Sequence, residues 1–459
     1  MNTEISQNKL LSSNNSNVRI LCVGDMHLGR QPGHLPKELA EFGLEVRSLG
    51  PAEGWRRTVK RAIDLRVEAV VLLGDVVDKD NRFYEALGPL ENGIKALAEA
   101  NIPAFAVSGN HDGDVLSRLS QEIPSLHLLG RSSVWEMRDL ECGVRLVGWS
   151  FTGTKCPNNP MLTFEAALAE MPDTNGLILG LLHCDLDVAN SRYAPVSTSD
   201  FQNASVHAWL FGHIHKPHSL CENSRPLGYL GSLTPLDPTE TGVHGPWLLK
   251  ASGTIIDMEQ IALAPLRWEE WEVSVDGLED IEDFENIIVR SLNDLHEHIS
   301  ASLGDADIIG CRFRLIGRTR CFHALPTRFE NGDAIPHRQI GDVYYFVDKI
   351  DYTGIRPALN LVSLAGGHDP PALLAGILLE IEGRTEKGKD LVQQALPSLQ
   401  NQVERDAFIP VGRYRLEPEQ AADILLQSGY YALEVLLAQK PHTPVTVQTV
   451  SPLSLEAAS

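Results

Sequence analysis

Residues 69–78 read "AVVLLGDVVD". Five consecutive apolar residues stop at a glycine and two carboxylates three positions apart, Asp75 and Asp78. A short apolar run bounded in this way fits a strand buried on both faces, as in a sheet covered on each side. Gly-Asp is common turn text, so on its own the end of the run says little. Working outward, the same pattern recurs. "VRILCVGD" (18–25), "PAFAVSGNHD" (103–112), "VRLVGWS" (144–150), "LILGLLHCD" (177–185) and "HAWLFGHIH" (207–215) also read as buried strands. Between them, "EGWRRTVKRAIDLRV" (53–67) and "LENGIKALAEANI" (90–102) have helical spacing. The expectation is an α/β domain from Val18 to about Pro265 whose sheets are covered by helices. "YLGSLTPLDPTETGVHGPWLLKA" (229–251), turn-rich and ending in a strand, closes it.

After Pro265 the pattern changes. "RWEEWEVSV" (267–275), "IIGCRFRLIGRTR" (308–320) and "DVYYFVDKI" (342–350) read as strands. Phe284, Ile287, Ile288, Leu292 and Leu295 share one helical face. This predicts a small α/β domain over 266–353, followed by a mainly helical region over 354–459. "EPEQAADILLQSGYYALEVLLAQ" (417–439) is its clearest helix, with Pro418 at the start. Residues 1–17, rich in Asn and Ser, read as a disordered leader with no apolar core of signal-peptide length. The last residues, from 443, read as a loose tail.

Composition narrows the function. The 459 residues carry a net charge of −22. The first 265 hold 22 Lys+Arg against 31 Asp+Glu, and the remainder 17 against 30. Neither part is a basic nucleic-acid module, so any contact with a polyanion must use a local patch or a metal. No apolar run approaches the ~20 residues needed to cross a bilayer, which points to a cytoplasmic protein without a membrane partner. Seven cysteines occur without a C-x-x-C pair, which argues against a zinc ribbon and a disulfide framework.

Five of the six strands in the first domain end in groups able to bind metal. These are Asp25 and His27, Asp75 and Asp78, Asn110 with His111 and Asp112, His183, and His213 with His215. Ligands bind where strand ends converge in α/β sheets. Asp25 with His27, and His213 with His215, are i and i+2 pairs that face one side of an extended chain. Seven groups (Asp25, His27, Asp75, Asn110, His183, His213 and His215) are too many for one tetrahedral zinc and enough for two ions sharing a bridging carboxylate. All donate through oxygen or nitrogen, which suits manganese, iron or zinc better than magnesium or calcium. Two such ions can activate water and stabilise the oxygens of a phosphoryl displacement.

The ordered set D-x-H, GD-x-x-D, GNHD, a lone His after an apolar run, and GH-x-H resembles the calcineurin-like metallophosphoesterases. That resemblance spans roughly residues 18–250. It implies a β-sandwich flanked by helices, in four α/β/β/α layers, with a two-metal centre that is usually manganese-activated in the nuclease branch. It also implies that Asp25, His27 and His215 hold one ion, that Asn110, His183 and His213 hold the other, and that Asp75 bridges. His111 would assist the transition state and the leaving oxygen, with Asp112 orienting its imidazole.

"GDVVDKDNRFYEALGPL" (74–90), "LLHCDLDVANSRYAP" (181–195) and "RWEEWEVSVDGLEDIEDF" (267–284) further resemble the SbcD/YhaO-type DNA repair exonucleases, with a capping domain after the catalytic one. Bacterial members commonly carry Asp at the position of Asp78, where other relatives carry His; Asp78 would then help protonate the leaving group. The resemblance implies DNA as substrate, an SMC-like coiled-coil ATPase (SbcC-type) docking on the helical region, and a possible homodimer. The alternative within the superfamily is a phosphodiesterase or phosphatase acting on small nucleotides. Arg312, Arg314, Arg318 and Arg320 share parity and could line phosphates along one side of a strand. The same four could instead form a solvated face paired with nearby acids.

Overall fold

The computed structural model describes residues 18–78, 83–174, 176–202, 205–218, 225–330, 337–405 and 416–439. The leader at 1–17, Cys221 and the tail from 443 lie outside them. The first strands are β1 (Val18–Val23), β2 (Ala69–Leu73), β3 (Ala104–Val107), β4 (Leu126–Leu128), β5 (Glu136–Asp139) and β6 (Val144–Trp149). Next come β7 (Leu177–His183), β8 (Asp185–Leu186), β9 (Pro195–Val196), β10 (Ala208–Gly212), β11 (Leu227–Tyr229), β12 (Trp247–Ser252) and β13 (Ile255–Gln260). The last are β14 (Leu266–Ser274), β15 (Ile308–Thr319), β16 (Arg338–Ile340) and β17 (Val343–Pro357). All six strands expected before Pro265 are present.

They form two sheets, in the orders β13-β12-β1-β2-β3-β4 and β11-β10-β7-β6-β5. Strands β1 to β4 run parallel to one another, as do β6, β7, β10 and β11. The chain ends of these strands therefore emerge along one edge of each sheet. Alternation decides which face each side chain covers. Ile20, Cys22, Val71 and Leu73 turn inward and pack with Leu146, Leu179, Leu181 and Leu210 of the second sheet. Leu21, Val23, Val70 and Leu72 turn outward, under helices α1 (Pro51–Leu65), α2 (Phe83–Glu99) and α3 (Val115–Glu122). The outer face of the second sheet buries Trp149, Phe151, Trp209 and Phe211 with Phe164 of α4 (Phe164–Glu170). This is the expected four-layer α/β/β/α sandwich. Burial on both faces explains why the strands read as unbroken apolar runs.

Helix α1 shows how the outer layers attach. Pro51 occupies its first position, where a missing N–H costs nothing. Trp55, Val59 and Ala62 recur at helical spacing and are buried, and the Trp55 indole N–H donates to the Pro89 carbonyl at 3.1 Å. Arg56 and Lys60 lie on its exposed face.

Helices α5 (Phe284–Ile299), α6 (Ala324–Glu330), α7 (Leu361–Ala365), α8 (Pro370–Glu382), α9 (Glu386–Arg405) and α10 (Pro418–Ala438) complete the chain. Strands β14, β15, β17 and β16 form a further sheet in that order. By compactness the chain divides into two units. One comprises 1–271, 288–313 and 334–350; the other comprises 272–287, 314–333 and 351–459. The boundary runs through the segment 266–353, falling within β14, α5, β15 and β17. The sandwich belongs wholly to the first unit, and α7 to α10 belong to the second. The six cysteines among the described residues are free, and four of them are buried.

Candidate metal centre

The residues singled out at the strand ends meet in one place. Asp25 and His27 follow β1, Asp75 follows β2, Asn110 follows β3, His183 ends β7, and His213 and His215 follow β10. Backbone hydrogen bonds lace these loops together. The amide of His27 donates to the Asp75 carbonyl at 2.7 Å, that of Leu233 to Asp25 at 2.9 Å, and that of Ser232 to His215 at 2.8 Å. His27 and Asp75 (φ 46° each) and His213 (φ 107°) sit in the left-handed region, which non-glycine residues rarely occupy. Such strain persists where surrounding structure fixes it, and it clusters at functional sites. Gly74 (φ 86°) adds a steric requirement: a Cβ there would lie 2.4 Å from Nδ1 of His183.

The side chains form three groups with converging ligand atoms: Asp25, His27 and His215; Asp75, His183 and His213; and His27, Asp78 and His111. The first group holds the three residues expected around one ion, and the second joins Asp75, expected to bridge, with His183 and His213. Asp75 reaches both sides, with Oδ2 3.4 Å from Nε2 of His183 and 3.8 Å from Nε2 of His27.

The hydrogen-bond chemistry indicates what the centre needs. Nδ1 of His183 lies 3.0 Å from the Leu73 carbonyl, which can only accept, so that nitrogen carries the proton. Nε2 of His183 is then a lone pair, and it faces Oδ1 of Asn110 at 3.0 Å and the Asp75 carboxylate. Three acceptors converge with no proton among them. On the other side, Nε2 of His27 and Nε2 of His215 lie 3.0 Å apart. Nδ1 of His27 is buried and has no hydrogen-bond partner. A cation would resolve the first confrontation and would take the place of the proton shared by the two imidazoles in the second group, so the residues present fit divalent metal ions.

Electrostatics agree. Burial pushes Asp25 up to about 7; His215 opposes this and Asp75 adds to it. Burial alone would raise Asp75 too, but His183, His27 and His111 hold it below the usual carboxylate range. Burial lowers His27, His183 and His213, keeping their imidazoles neutral. His215 is the exception. Burial would lower it, yet the hydrogen bond it donates to Glu240 and the charge of Asp25 raise it to about 9.

His111 stands at the rim with its side chain 37% exposed, Nδ1 lying 4.0 Å from Oδ1 of Asp78. Its ring packs edge-on against His27. Asp78 also takes Nε of Arg30 at 3.2 Å. Asp112 departs from the role expected of it. Its fully buried carboxylate accepts from the amides of Gly109 (2.8 Å), Val76 (2.7 Å) and Val77 (3.3 Å). Those bonds clamp the loop after β3 to the loop after β2, so Asp112 shapes the site through backbone and does not orient the imidazole. The carboxylate beside His111 is Asp78.

The family of calcineurin-like phosphoesterases matches residues 18–217. These residues are a calcineurin-like phosphoesterase domain. Enzymes of this class use divalent metals, in keeping with the donor set here. The chain is 26% identical over 302 residues to the DNA double-strand break repair protein Mre11 of Aeropyrum pernix, covering 62% of this chain and 70% of that one. It is 25% identical over 223 residues to the uncharacterised metallophosphoesterase YhaO of Bacillus subtilis, covering 48% and 54% respectively. These likenesses support the DNA repair nuclease branch of the family. A dimetal phosphatase from Danio rerio is a structural neighbour at TM-score 0.34 and 16% identity, over 53% of this chain and 98% of that one.

The first unit also holds partners that the sequence did not single out. Asp185 lies 3.1 Å from Nε2 of His213, and Glu240 lies 2.9 Å from Nδ1 of His215. Asp185 closes the quoted stretch "LLHCD", and its position two residues after His183 was the available signal. Glu240 sits in turn-rich text with no local signature.

The four arginines of the 311–320 stretch are matched to acids. Arg312 pairs with Asp348 (2.9 Å), Arg314 with Glu272 (3.2 Å), Arg318 with Glu382 (2.7 Å) and Arg320 with Glu279 (3.7 Å). Arg320 lies beyond the end of β15. The structure therefore favours the paired face over a free phosphate-binding stripe.

Proposed function

We propose that the chain is a two-metal-dependent DNA phosphodiester hydrolase, an exonuclease or endonuclease, and the nuclease subunit of an ATPase–nuclease repair complex. The observation that carries the hydrolytic reading is the convergence of unprotonated acceptors at the strand ends. The likeness to proteins described as Mre11 supports DNA as the substrate. Asp25, His27 and His215 would hold one ion, Asn110, His183 and His213 the other, and Asp75 both. When bound, the ions would supply Lewis acidity and an activated water for attack on phosphorus.

The remaining residues position and protonate. His111, exposed at the rim, would hold a proton for the leaving oxygen, with the Asp78 carboxylate 4.0 Å from its Nδ1. Asp112 would keep the loop that carries Asn110 and His111 in register with the Asp75 loop. The segment 266–353 would act as a capping domain over the substrate. The helical region would dock the coiled-coil ATPase. Exposed apolar residues at i, i+4 spacing support that role: Leu373 and Ile377 on α8, and Tyr431 and Val435 on α10. Among the described residues no helix is long and apolar enough to cross a membrane.

Purified protein incubated with Mn²⁺, labelled linear DNA and bis-p-nitrophenyl phosphate tests this reading. DNA cleavage that requires the metal is expected. Cleavage of the small ester with DNA untouched, even with a coiled-coil ATPase of this class added, would instead make the chain a small-molecule phosphodiesterase.

A further inference from the structure

The two histidines of "GHIH" have different surroundings, although they are two residues apart. His213 offers Nε2 to Oδ1 of Asp185 at 3.1 Å; His215 offers Nδ1 to Oε1 of Glu240 at 2.9 Å. Both carboxylates are buried residues, and each is held by a serine on its second oxygen. The Ser191 hydroxyl donates to Oδ2 of Asp185. The Ser232 hydroxyl donates to Oε2 of Glu240 at 2.7 Å, and the Leu236 amide reaches the same oxygen at 3.3 Å. The His244 imidazole, buried behind Ser232, packs its Nδ1 3.0 Å from that hydroxyl. Neither carboxylate can rotate without breaking a second bond.

A carboxylate accepts and cannot donate, so the ring nitrogen it faces must carry the proton. The opposite nitrogen of the neutral ring is then the lone pair. From this geometry we infer that Asp185 and Glu240 are positioning residues that select opposite tautomers in the two histidines. His213 is left to bind its divalent cation through Nδ1, and His215 through Nε2. The free Nε2 of His215 lies in the Asp25 and His27 group, as this requires. Nδ1 is next to Cβ and Nε2 is at the far edge of the ring. One short backbone segment can thus serve two ions by presenting a near donor and a far donor. The inference rests on the two-metal reading above and adds the residues that set its ligand atoms. A carboxylate behind a metal-binding imidazole fixes ring orientation and raises basicity, and its loss typically weakens metal binding 10–100-fold, as a rough range.

The test uses the full chain, stripped with chelator and labelled with ¹⁵N-histidine. Long-range ¹H–¹⁵N spectra of the Zn²⁺-loaded protein report which nitrogen of each ring is bound, with assignments from His213→Asn and His215→Asn. The expected result is Nδ1 for His213 and Nε2 for His215; binding of both through the same nitrogen overturns the inference. Mn²⁺ titration calorimetry gives the second arm. Glu240→Ala and Asp185→Ala should each weaken one of two sites by roughly 10–100-fold, and Glu240→Gln, which keeps an acceptor oxygen, should recover most of the loss. Wild-type affinity in both alanine variants would overturn the positioning role while leaving the metal centre intact. Failure of the wild-type chain to take up Mn²⁺ would overturn the metal reading and this inference with it.

Discussion

The metal centre and the arginine-bearing strand β15 are both dense in charge, and they are organised in opposite ways. On β15 and just beyond it, each of Arg312, Arg314, Arg318 and Arg320 faces a carboxylate within 4 Å. At the strand ends of the sandwich, the buried Asp75 carboxylate and the lone-pair nitrogen of His183 face one another and Oδ1 of Asn110. Desolvating charge without a partner is costly, so such a cluster is sustained only if something else supplies the counter-charge. A matched region asks for no ligand, whereas an unmatched buried one does. In an acidic chain, the density of arginines says little about polyanion binding until their partners are known.

The sharpest way to break this contrast is to remove the shared carboxylate. Asp75→Asn should lower metal-dependent hydrolysis by roughly 10³-fold or more, about 4 kcal/mol of barrier. It should also abolish the stabilisation that Mn²⁺ gives the wild-type chain, about 2.7 kcal/mol at a hundredfold excess over Kd. Thermal melts with and without the ion would show the second effect. His111→Ala should separate binding from turnover: hydrolysis drops about 10²–10⁴-fold while the Mn²⁺-induced rise in Tm is retained. Loss of that rise would make His111 a ligand.

Gly74→Ala tests whether the cradle is sterically fixed. Left-handed backbone strain of about 1–3 kcal/mol, together with displacement of His183, should lower Tm and weaken Mn²⁺ binding together. Proton linkage gives a smaller, graded effect. In the metal-free chain His215 titrates near 9 and Asp25 near 7, and both must be deprotonated to bind metal. Apparent Mn²⁺ affinity should therefore rise with pH, by about tenfold per unit between 7 and 9 where one proton is displaced. Calorimetry in buffers of different ionisation enthalpy would count that proton. On the matched side, Arg320→Ala should leave stability within about 0.5 kcal/mol and DNA affinity unchanged at each salt concentration, because the residue is mostly exposed and its ion pair is long. A fall in the salt dependence of binding by about one unit would restore it as a phosphate contact.

Much of the sandwich was legible because burial on both faces forces continuous apolar strands, and glycine marks their ends. The candidate metal ligands were legible because each lies at or just past such an end. What sequence adjacency could not convey was direction. Asp112 follows His111, but the loop curls around its carboxylate, and the group beside the imidazole comes from Asp78 on another strand end. The arginines' parity was legible, but the acids that pair with them come from distant segments and were not. Asp185 and Glu240 were missed for a related reason. Asp185 carried only its i+2 spacing from His183 and Glu240 no local pattern, and their role exists only where the chain brings them behind a histidine.

The central claim is that the strand ends form a two-ion centre. Anomalous diffraction at the manganese edge, on crystals of the full chain grown with Mn²⁺, tests it most directly. Two peaks are expected, one among Asp25, His27 and His215 and one among Asn110, His183 and His213, with Asp75 reaching both. A single peak, or none among these residues, would contradict it.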